Sequence, residues 1–380
     1  MAQRKEITLL YHYDDNWIGG SYYIINIIKV LNFLEDTEKP FINIQYPMGT
    51  SIEDLKKINY PYIEYFAFDN GIGSIVERVI NKFGVVFLGK SLITKKLNGE
   101  RIKNFYPMNH SISKANVDSF FYWIPDFQER YLPDLFSVKE IKDRKNVQEI
   151  IVKKVYPVVF SSHNALNDFN TFYPNNKNRK EVLQFASSIG DDYLNLNISQ
   201  LKVKFGIKGD YFISPNQFWQ HKNQTTLIKA AKILKEKNKD FTIVFTGKEF
   251  DYRNPNYVTE LKQFVVENDL EKNILFLGFI DRKEQLQLMK NSIAVVQPSL
   301  FEGWSTVVED VKAMNHVIVL SDIPLHREQI SENTLFFDPM DENDLATKLD
   351  YAANNNLKTG LFDNNKLQIE VAKKIISIFK

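Results

Sequence analysis

The stretch Gln297-Pro298-Ser299-Leu300-Phe301-Glu302-Gly303-Trp304-Ser305-Thr306-Val307-Val308-Glu309 decides how the chain is interpreted. The apolar run at 293–296 comes directly before it and predicts a buried strand. Ser305 and Thr306 are favourable N-cap residues, and the apolar-periodic segment from Val307 to Met314 predicts a helix after them. The order is strand, short polar loop and helix. Because a helix start offers unpaired N–H groups and a positive dipole end, this loop suits a phosphate.

Two carboxylates flank the predicted anion site. Glu302 lies in the loop and Glu309 about two turns later, and either would repel a phosphate placed beside it. They are better suited to hydroxyl groups on both sides of the phosphate, as a sugar nucleotide would present them. The local pattern alone leaves open the alternative of an ordinary strand-to-helix turn with a solvated glutamate.

Length and composition limit the classes of protein. A chain of 380 residues with 44% hydrophobic and 25% charged residues is typical of a globular protein of two domains or one large domain. The net charge of +1 implies no bulk attraction to nucleic acid, so a nucleic-acid partner is not expected. The absence of cysteine excludes disulfides, thiolate zinc sites and thiol nucleophiles. The first residues lead directly into a strand without a signal-peptide pattern, which favours a cytoplasmic location.

Strands alternate with helical patterns throughout, which predicts parallel sheets of the doubly wound type. The polar, irregular segment 172–201 is the best domain boundary. We therefore predict an α/β protein with two doubly wound, Rossmann-like domains facing a central cleft. The first spans residues 1–195 and the second residues 196–364, with a C-terminal helix at 365–380 packing back on the first.

The N-terminal half contains four weaker candidates. Gly20, after Gly19 in a predicted loop before a helix, would let the backbone approach a ligand, although a structural turn is at least as common. Asp126 follows a predicted strand, where α/β sheets place ligand contacts, but a turn or N-cap role is equally open. His163 is an acid–base candidate, with a position next to an N-cap as the more frequent explanation. The basic segment Arg78–Lys103 indicates a solvated helix face or a peripheral membrane contact.

The segments 298–309 and 319–324 resemble the nucleotide-sugar domain of family 4 glycosyltransferases, retaining enzymes of group 1 with the two-domain GT-B architecture. The resemblance extends over roughly Tyr211–Pro339. The family usually places seven residues between its two glutamates, around a Gly-Phe-Gly. Here six intervene between Glu302 and Glu309, and Trp304-Ser305 replaces the usual pair.

The resemblance implies roles for the residues around the donor. Glu309 corresponds to the glutamate that holds the ribose hydroxyls, and Glu302 to the one near the donor sugar and its anomeric carbon. The backbone N–H groups of Ser305, Thr306 and Val307 would face the diphosphate.

The resemblance also places further residues of both halves near the donor or acceptor. Lys222 keeps the family's diphosphate lysine and is, with Glu302, the catalytic candidate, whereas Gln217 replaces an arginine. Gly247 and Lys248 would lie beside the nucleotide, and Phe279 would frame the base. In the first half, Gly20 would approach phosphate or acceptor. Asp126 lies near a usual His-Asp pair whose histidine is here Pro125.

The function implied is transfer of a sugar from a UDP- or GDP-linked donor to a saccharide or glycolipid acceptor, in surface polysaccharide or glycoconjugate assembly. The resemblance implies retention and metal independence, and no cofactor besides the donor substrate; consistently, the chain lacks an Asp-X-Asp motif. The alternatives are a nucleotide-sugar epimerase or a pyridoxal-phosphate-dependent phosphorylase on the same architecture. A non-catalytic sugar- or nucleotide-binding partner subunit is also open.

Overall fold

The computed structural model describes residues 4–13, 18–69, 80, 84, 96–99, 101–109, 112–355, 357 and 359–379. The chain forms two compact units. Unit 1 comprises the residues up to Phe127, Val138–Ser188 and the residues from Asn365 onward. Unit 2 comprises Gln128–Ser137 and Ile189–Asn364. The main division thus lies at residue 188 where the sequence suggested 195, and a short segment of the first half belongs to unit 2.

Thirteen strands and thirteen helices are found in the described part of the chain. The strands are β1 Glu6–Leu10, β2 Phe41–Pro47, β3 Ile63–Phe68, β4 Phe105–Met108, β5 Phe120–Ile124, β6 Val158–Phe160, β7 Lys180–Val182, β8 Phe212–Pro215, β9 Ile243–Thr246, β10 Ile274–Phe276, β11 Val295–Gln297, β12 Ile318–Ser321 and β13 Thr334–Phe337. The helices are α1 Ile18–Leu31, α2 Glu53–Lys56, α3 Gln128–Tyr131, α4 Val138–Lys153, α5 His163–Phe172, α6 Ile198–Phe205, α7 Gln224–Glu236, α8 Tyr257–Glu267, α9 Arg282–Lys290, α10 Thr306–Met314, α11 Pro324–Gln329, α12 Glu342–Asn354 and α13 Asn364–Ile378. Within the described ranges, no helix combines the length and apolarity needed to cross a bilayer.

Each unit contains one parallel sheet. Unit 1 has seven strands in the order β3-β2-β1-β4-β5-β6-β7, and unit 2 has six in the order β10-β9-β8-β11-β12-β13. Both orders reverse direction once, which is the doubly wound arrangement that the alternation of strands and helices predicted. The prediction of two doubly wound α/β domains is confirmed.

The sheet of unit 2 is buried on both faces. Successive residues of a strand point to opposite faces, so neighbouring apolar residues pack into two separate clusters. Val296 and Val319 belong to one apolar cluster with the helices on that face. Their neighbours Val295 and Ile318 belong to the cluster on the other face. The continuous apolar runs of the sequence therefore follow from a sheet covered by helices on both sides.

The order of unit 2 reverses between β8 and β11, which are adjacent parallel strands. From β8 the chain proceeds through β9 to the edge strand β10, and from β11 it proceeds in the opposite direction. At such a point the loops leaving the two strands diverge and open a crevice at their carboxyl ends. In unit 2 these loops are residues 216–223 and 298–305, which places Gln217, Lys222, Glu302 and Ser305 at the switch point.

The predicted glycine loop of unit 1 is wrong. Gly19 and Gly20 lie inside the first turn of α1, which begins at Ile18, before both glycines. Glycine lowers helix propensity, so the local pattern favoured a loop. Packing decides otherwise, since the ring of Tyr23 stacks on Trp123 with centroids 4.3 Å apart and its hydroxyl lies 2.7 Å from that of Tyr106.

Candidate active site

Lys222 and Glu302 form an ion pair at the switch point of unit 2. Lys222 ends the 3-10 turn Gln220–Lys222 after β8, and Glu302 lies in the loop after β11. The two loops are joined by a backbone hydrogen bond from Leu300 N to His221 O of 2.8 Å. Lys222 Nζ lies 2.6 Å from Glu302 Oε1, with the side chains 18% and 8% exposed. Lys222 is therefore no solvated surface lysine, and both predicted catalytic residues belong to one site.

Glu302 is ionised in this environment. Burial alone would raise the pKa of its carboxyl, but the neighbouring Lys222 ammonium outweighs burial and lowers the pKa to about 2. Gln297 Nε2 also donates to Glu302 Oε1, at 2.7 Å. The sequence did not indicate Gln297, because a glutamine at the end of an apolar strand carries no distinctive local pattern.

A second polar group holds the turn that carries Lys222. Asp251 Oδ2 accepts from Gln220 N at 2.9 Å, and Asp251 pairs with Arg253. Arg253 lies 3.2 Å from His221 Nδ1 and is an obligate donor, so this nitrogen is the acceptor and the ring is neutral. Burial, assisted by the charge of Lys222, lowers the pKa of His221 to about 3. His221 is thus a neutral spacer beside the ion pair.

The start of α10 has the predicted capping geometry, with one correction. Ser305 Oγ accepts from Val308 N at 3.4 Å, as expected for an N-cap. The Ser305 N–H itself donates to Gln329 Oε1 at 3.2 Å, so it is already bonded and is not available to a diphosphate. Thr306 and Val307 follow in the first turn, where the helix supplies no partner for the N–H. The amides of this turn that stay open to an anion are therefore those of Thr306 and Val307.

Gln217 occupies the position where the resemblance leads one to expect a cation. Its Oε1 accepts from Trp219 Nε1 at 3.0 Å, while its Nε2 is buried and no described residue accepts from it. A buried donor without an acceptor is unfavourable by about 1–3 kcal/mol. Gln217 therefore presents a neutral donor that a ligand oxygen would satisfy.

Glu309 is buried within unit 2. Its Oε1 accepts from Lys312 Nζ and from Gln329 Nε2, both at 2.9 Å, and the residue is 1% exposed. Burial raises the pKa of this carboxyl in spite of Lys312. Lys312 is therefore the cationic partner of this buried carboxylate. Gln329 ends α11, after β12, so Glu309 faces the β12 side of its helix.

The next residue, Asp310, is turned about 100° around the helix axis and contacts a different helix, α9. Arg282 NH2 lies 2.5 Å from Asp310 Oδ2, and Arg282 NH1 donates to Gln285 Oε1 at 2.8 Å. Gln285 Nε2 in turn donates at 2.9 Å to the hydroxyl of Thr246, the last residue of β9. Asp310 is fully buried and Arg282 is 31% exposed. This chain of contacts brings Asp310 to the carboxyl ends of β9 and β10, where the predicted base loop lies.

The loops after β9 and β10 approach the site closely. Gly247 has φ +130°, and a Cβ there would lie 2.3 Å from Asn216 O. Its N–H donates to Gly278 O at 2.8 Å. Lys248 O accepts from a backbone N–H of the loop after β8 at 3.0 Å. Phe279 is 68% exposed, so its ring is open to a ligand and does not belong to the core.

Three candidates lie in unit 1 and stay predictions. Asp126 follows β5 and lies 3.7 Å from Arg144, and His163 follows the neighbouring strand β6. His163 is the first residue of α5, next to the N-cap Ser162. Gly20 lies in α1, as described above. The basic segment Arg78–Lys103 lies largely outside the described residues. Among the described ranges, no group of three or more His, Asp or Glu side chains is arranged to hold a metal ion.

Comparison with known proteins finds a family match in the second half of the chain. Residues 198–372 match the family described as "Glycosyl transferases group 1". A curated relative, the O-antigen chain mannosyltransferase RfbU of Salmonella typhimurium, is 29% identical over 135 residues. That match spans only about a third of either protein, 36% of this chain and 36% of the relative.

Solved structures extend the likeness to both units. A glycosyltransferase from Rickettsia africae covers 99% of this chain and 94% of its own, with TM-score 0.60 and 17% identity. Anabaena Alr3699/HepE, in complex with UDP and glucose, covers 99% and 95%, with TM-score 0.61 and 15% identity. These likenesses establish the GT-B fold.

Proposed function

On the premise that residues 198–372 form a domain of the group 1 glycosyl transferase family, we propose that the protein is a retaining, metal-independent glycosyltransferase. It moves a hexosyl group from a UDP- or GDP-linked donor to a hydroxyl of a saccharide or glycolipid acceptor. The observation that carries the proposal is the buried Lys222–Glu302 pair at the switch point of unit 2. The name of the relative RfbU supports a setting in surface polysaccharide assembly.

The chemical step requires stabilisation of two opposite charges. As the bond from the anomeric carbon to the phosphate oxygen breaks, its electron pair leaves with the diphosphate and the carbon becomes positive. The acceptor oxygen bonds to that carbon, and its proton passes to the departing diphosphate oxygen. Lys222, the Gln217 amide and the N–H groups of Thr306 and Val307 stabilise the leaving phosphate. Glu302 faces the positive sugar. Fixed groups of this kind are usually the largest catalytic contribution.

The nucleotide end is assigned to the side of unit 2 formed by β9 and β10. In this assignment Gly247, with φ +130°, and the exposed Phe279 ring would contact the base, and the ion pair of Asp310 with Arg282 would lie nearest the ribose. Glu309, the residue expected from the resemblance, faces the other side and holds Lys312. The shorter spacing between Glu302 and Glu309 agrees with this assignment, because the seven intervening residues that the family usually has lead from Glu302 to Asp310.

The test combines nucleotide binding with turnover. Thermal unfolding is recorded with UDP, GDP, ADP and CMP, and a nucleotide present at a hundred times its Kd should add about 2.7 kcal/mol of stability. Release of nucleotide from UDP-glucose and GDP-mannose is then measured with and without added oligosaccharide acceptors. If none of the four nucleotides stabilises the folded protein and neither donor is cleaved, the proposal is refuted.

A further inference from the structure

Gln297 is a buried amide directly beneath the ion pair. It is the last residue of the central strand β11 and is 0% exposed. Its Nε2 lies 2.7 Å from Glu302 Oε1, 3.2 Å from Ser299 Oγ and 3.3 Å from Ser305 Oγ. One side chain therefore contacts the catalytic carboxylate and the N-cap of the anion-binding helix.

The amide can have only one orientation. Exchanging its oxygen and nitrogen would place the carbonyl oxygen of Gln297 2.7 Å from a carboxylate oxygen, and neither atom could donate. The Nε2 group therefore faces Glu302. Gln297 Oε1 is buried and has no hydrogen-bond partner in the described part of the chain. A buried oxygen without a hydrogen bond is unfavourable, so glutamine at position 297 is not explained by stability alone.

Both donors that reach Glu302 bind the same oxygen. Lys222 Nζ and Gln297 Nε2 lie 2.6 and 2.7 Å from Oε1, and no described residue donates to Oε2. A carboxylate fixed through one oxygen from two directions cannot rotate freely. Its other oxygen is then the one left for a ligand.

We propose that Gln297 is a positioning residue for sugar transfer, which holds Glu302 with Oε2 toward the donor sugar and favours its ionised form. This assignment rests on the proposed function. Three nitrogen-bearing groups besides Gln297 influence the same carboxylate: Lys222, His221 and His326. Among the described residues, Lys222 and Gln297 alone donate a hydrogen bond to it.

Two substitutions of Gln297 separate positioning from packing. Gln297→Met keeps the length of the side chain but removes the donor. Gln297→Glu keeps the shape but places a second carboxyl 2.7 Å from the first, so the two groups cannot both be ionised. The matched control is Gln287→Met, because Gln287 is also buried in unit 2, donates once through Nε2 and has an orphaned Oε1, but lies outside the site.

The first measurement is hydrolysis of UDP-glucose and GDP-mannose across pH, with donor KM recorded. Gln297→Met should lower kcat about 10- to 100-fold with KM nearly unchanged, as expected when a reacting group is misplaced. Gln297→Glu should move the acid limb of the kcat profile upward by at least one pH unit. Gln287→Met should change neither. Variants of Gln297 with the kcat and pH profile of the unmodified protein would overturn the assignment.

The second measurement needs no turnover. Thermal unfolding is followed from pH 7 to pH 4 for the same variants. Gln297→Glu should gain stability relative to the unmodified protein as pH falls, because one of its paired carboxyls becomes protonated, whereas Gln287→Met should show a constant difference. A constant difference for Gln297→Glu as well would contradict the contact with Glu302. If the protein binds neither UDP nor GDP, the proposed function itself fails. The unfolding series needs no nucleotide, so it reports on the contact between Gln297 and Glu302 separately from the function.

Discussion

Replacing Lys222 by methionine tests the electrostatic core of the site. The substitution leaves the Glu302 carboxylate, 8% exposed, with Gln297 as its remaining donor. Removing one partner of a buried ion pair typically costs about 3–5 kcal/mol. Because Lys222 is itself 18% exposed, we expect a loss near the lower end, about 3 kcal/mol. Glu302→Gln should cost less, about 1–2 kcal/mol, since the remaining ammonium group can reach solvent.

The assay is urea unfolding of both single variants and the double variant at pH 7, which together give the coupling energy of the pair. We expect the coupling to reach about 2 kcal/mol, within the range found for groups in direct contact. The control is Lys204→Met, which breaks the ion pair with Glu284, where the lysine is 55% exposed. Exposed pairs contribute about 1 kcal/mol at most.

The pH dependence of the unfolding free energy is a second test of the Lys222–Glu302 pair. The pKa of Glu302 is lowered from 4.5 to about 2, so the stability from the pair is complete above about pH 4.5 and is lost as pH falls toward 2. Without Lys222, burial raises the pKa, and the variant should gain stability relative to the unmodified protein as pH falls from 7 to 4. If Lys222→Met loses less than 1 kcal/mol of unfolding free energy, and the loss is the same at pH 7 and pH 4, then Glu302 is not a buried carboxylate held by Lys222.

Three further experiments test other parts of unit 2. Nucleotide binding is measured by titration calorimetry. Asp310→Asn should weaken it at least 10-fold and Glu309→Gln less than threefold. The reverse order would show that Glu309, and not Asp310, binds the ribose. Gly247→Ala should cost about 2–5 kcal/mol in urea unfolding, since its Cβ would lie 2.3 Å from a backbone oxygen, whereas Gly206→Ala, with φ +69° and open space, should cost about 1 kcal/mol. Burial lowers the pKa of His326 from 6.5 to about 4, so stability should fall as pH decreases through this window, by up to about 1.4 kcal/mol per pH unit. His326→Asn should flatten that slope in unfolding measurements between pH 7 and 4.

Local patterns predicted the elements of unit 2 because the determining interactions are themselves local. Ser305 caps α10 through its own side chain. Alternate apolar residues of each strand pack against the helices on one or the other face of the sheet, and this alternation is visible in the strand's own sequence. The same local rules failed at Gly19 and Gly20, where packing of α1 outweighs the propensity of two glycines. They also gave no sign that Gln128–Ser137 belongs to unit 2, where Tyr131 lies with its ring centroid 5.6 Å from that of Phe301.

The site residues that sequence reasoning missed act through partners far along the chain. Gln329 bonds the backbone of Ser305 from a helix 24 residues away, and Arg253 reaches His221 across 32 residues. The choice between Glu309 and Asp310 depends on a rotation of about 100° around the helix axis. Residue types and spacing do not specify that rotation when both positions are carboxylates on a buried helix.

Under the proposed function, the arrangement of charge explains why one cation would suffice where the resemblance implies two. Lys222 is neutralised by Glu302 before any donor binds, so the pair adds no net charge to the site. Under the proposed function, the positive end of this dipole faces the leaving phosphate and the negative end faces the sugar. When the glycosidic bond breaks, negative charge develops on the phosphate and positive charge on the sugar. The ion pair is oriented to match this separation of charge, so it stabilises the transition state more than the bound donor. A second fixed cation at Gln217 would strengthen binding of donor and diphosphate product alike, whereas a neutral amide satisfies the phosphate oxygen without retaining the product. Gln217→Arg should therefore tighten nucleotide binding and slow product release.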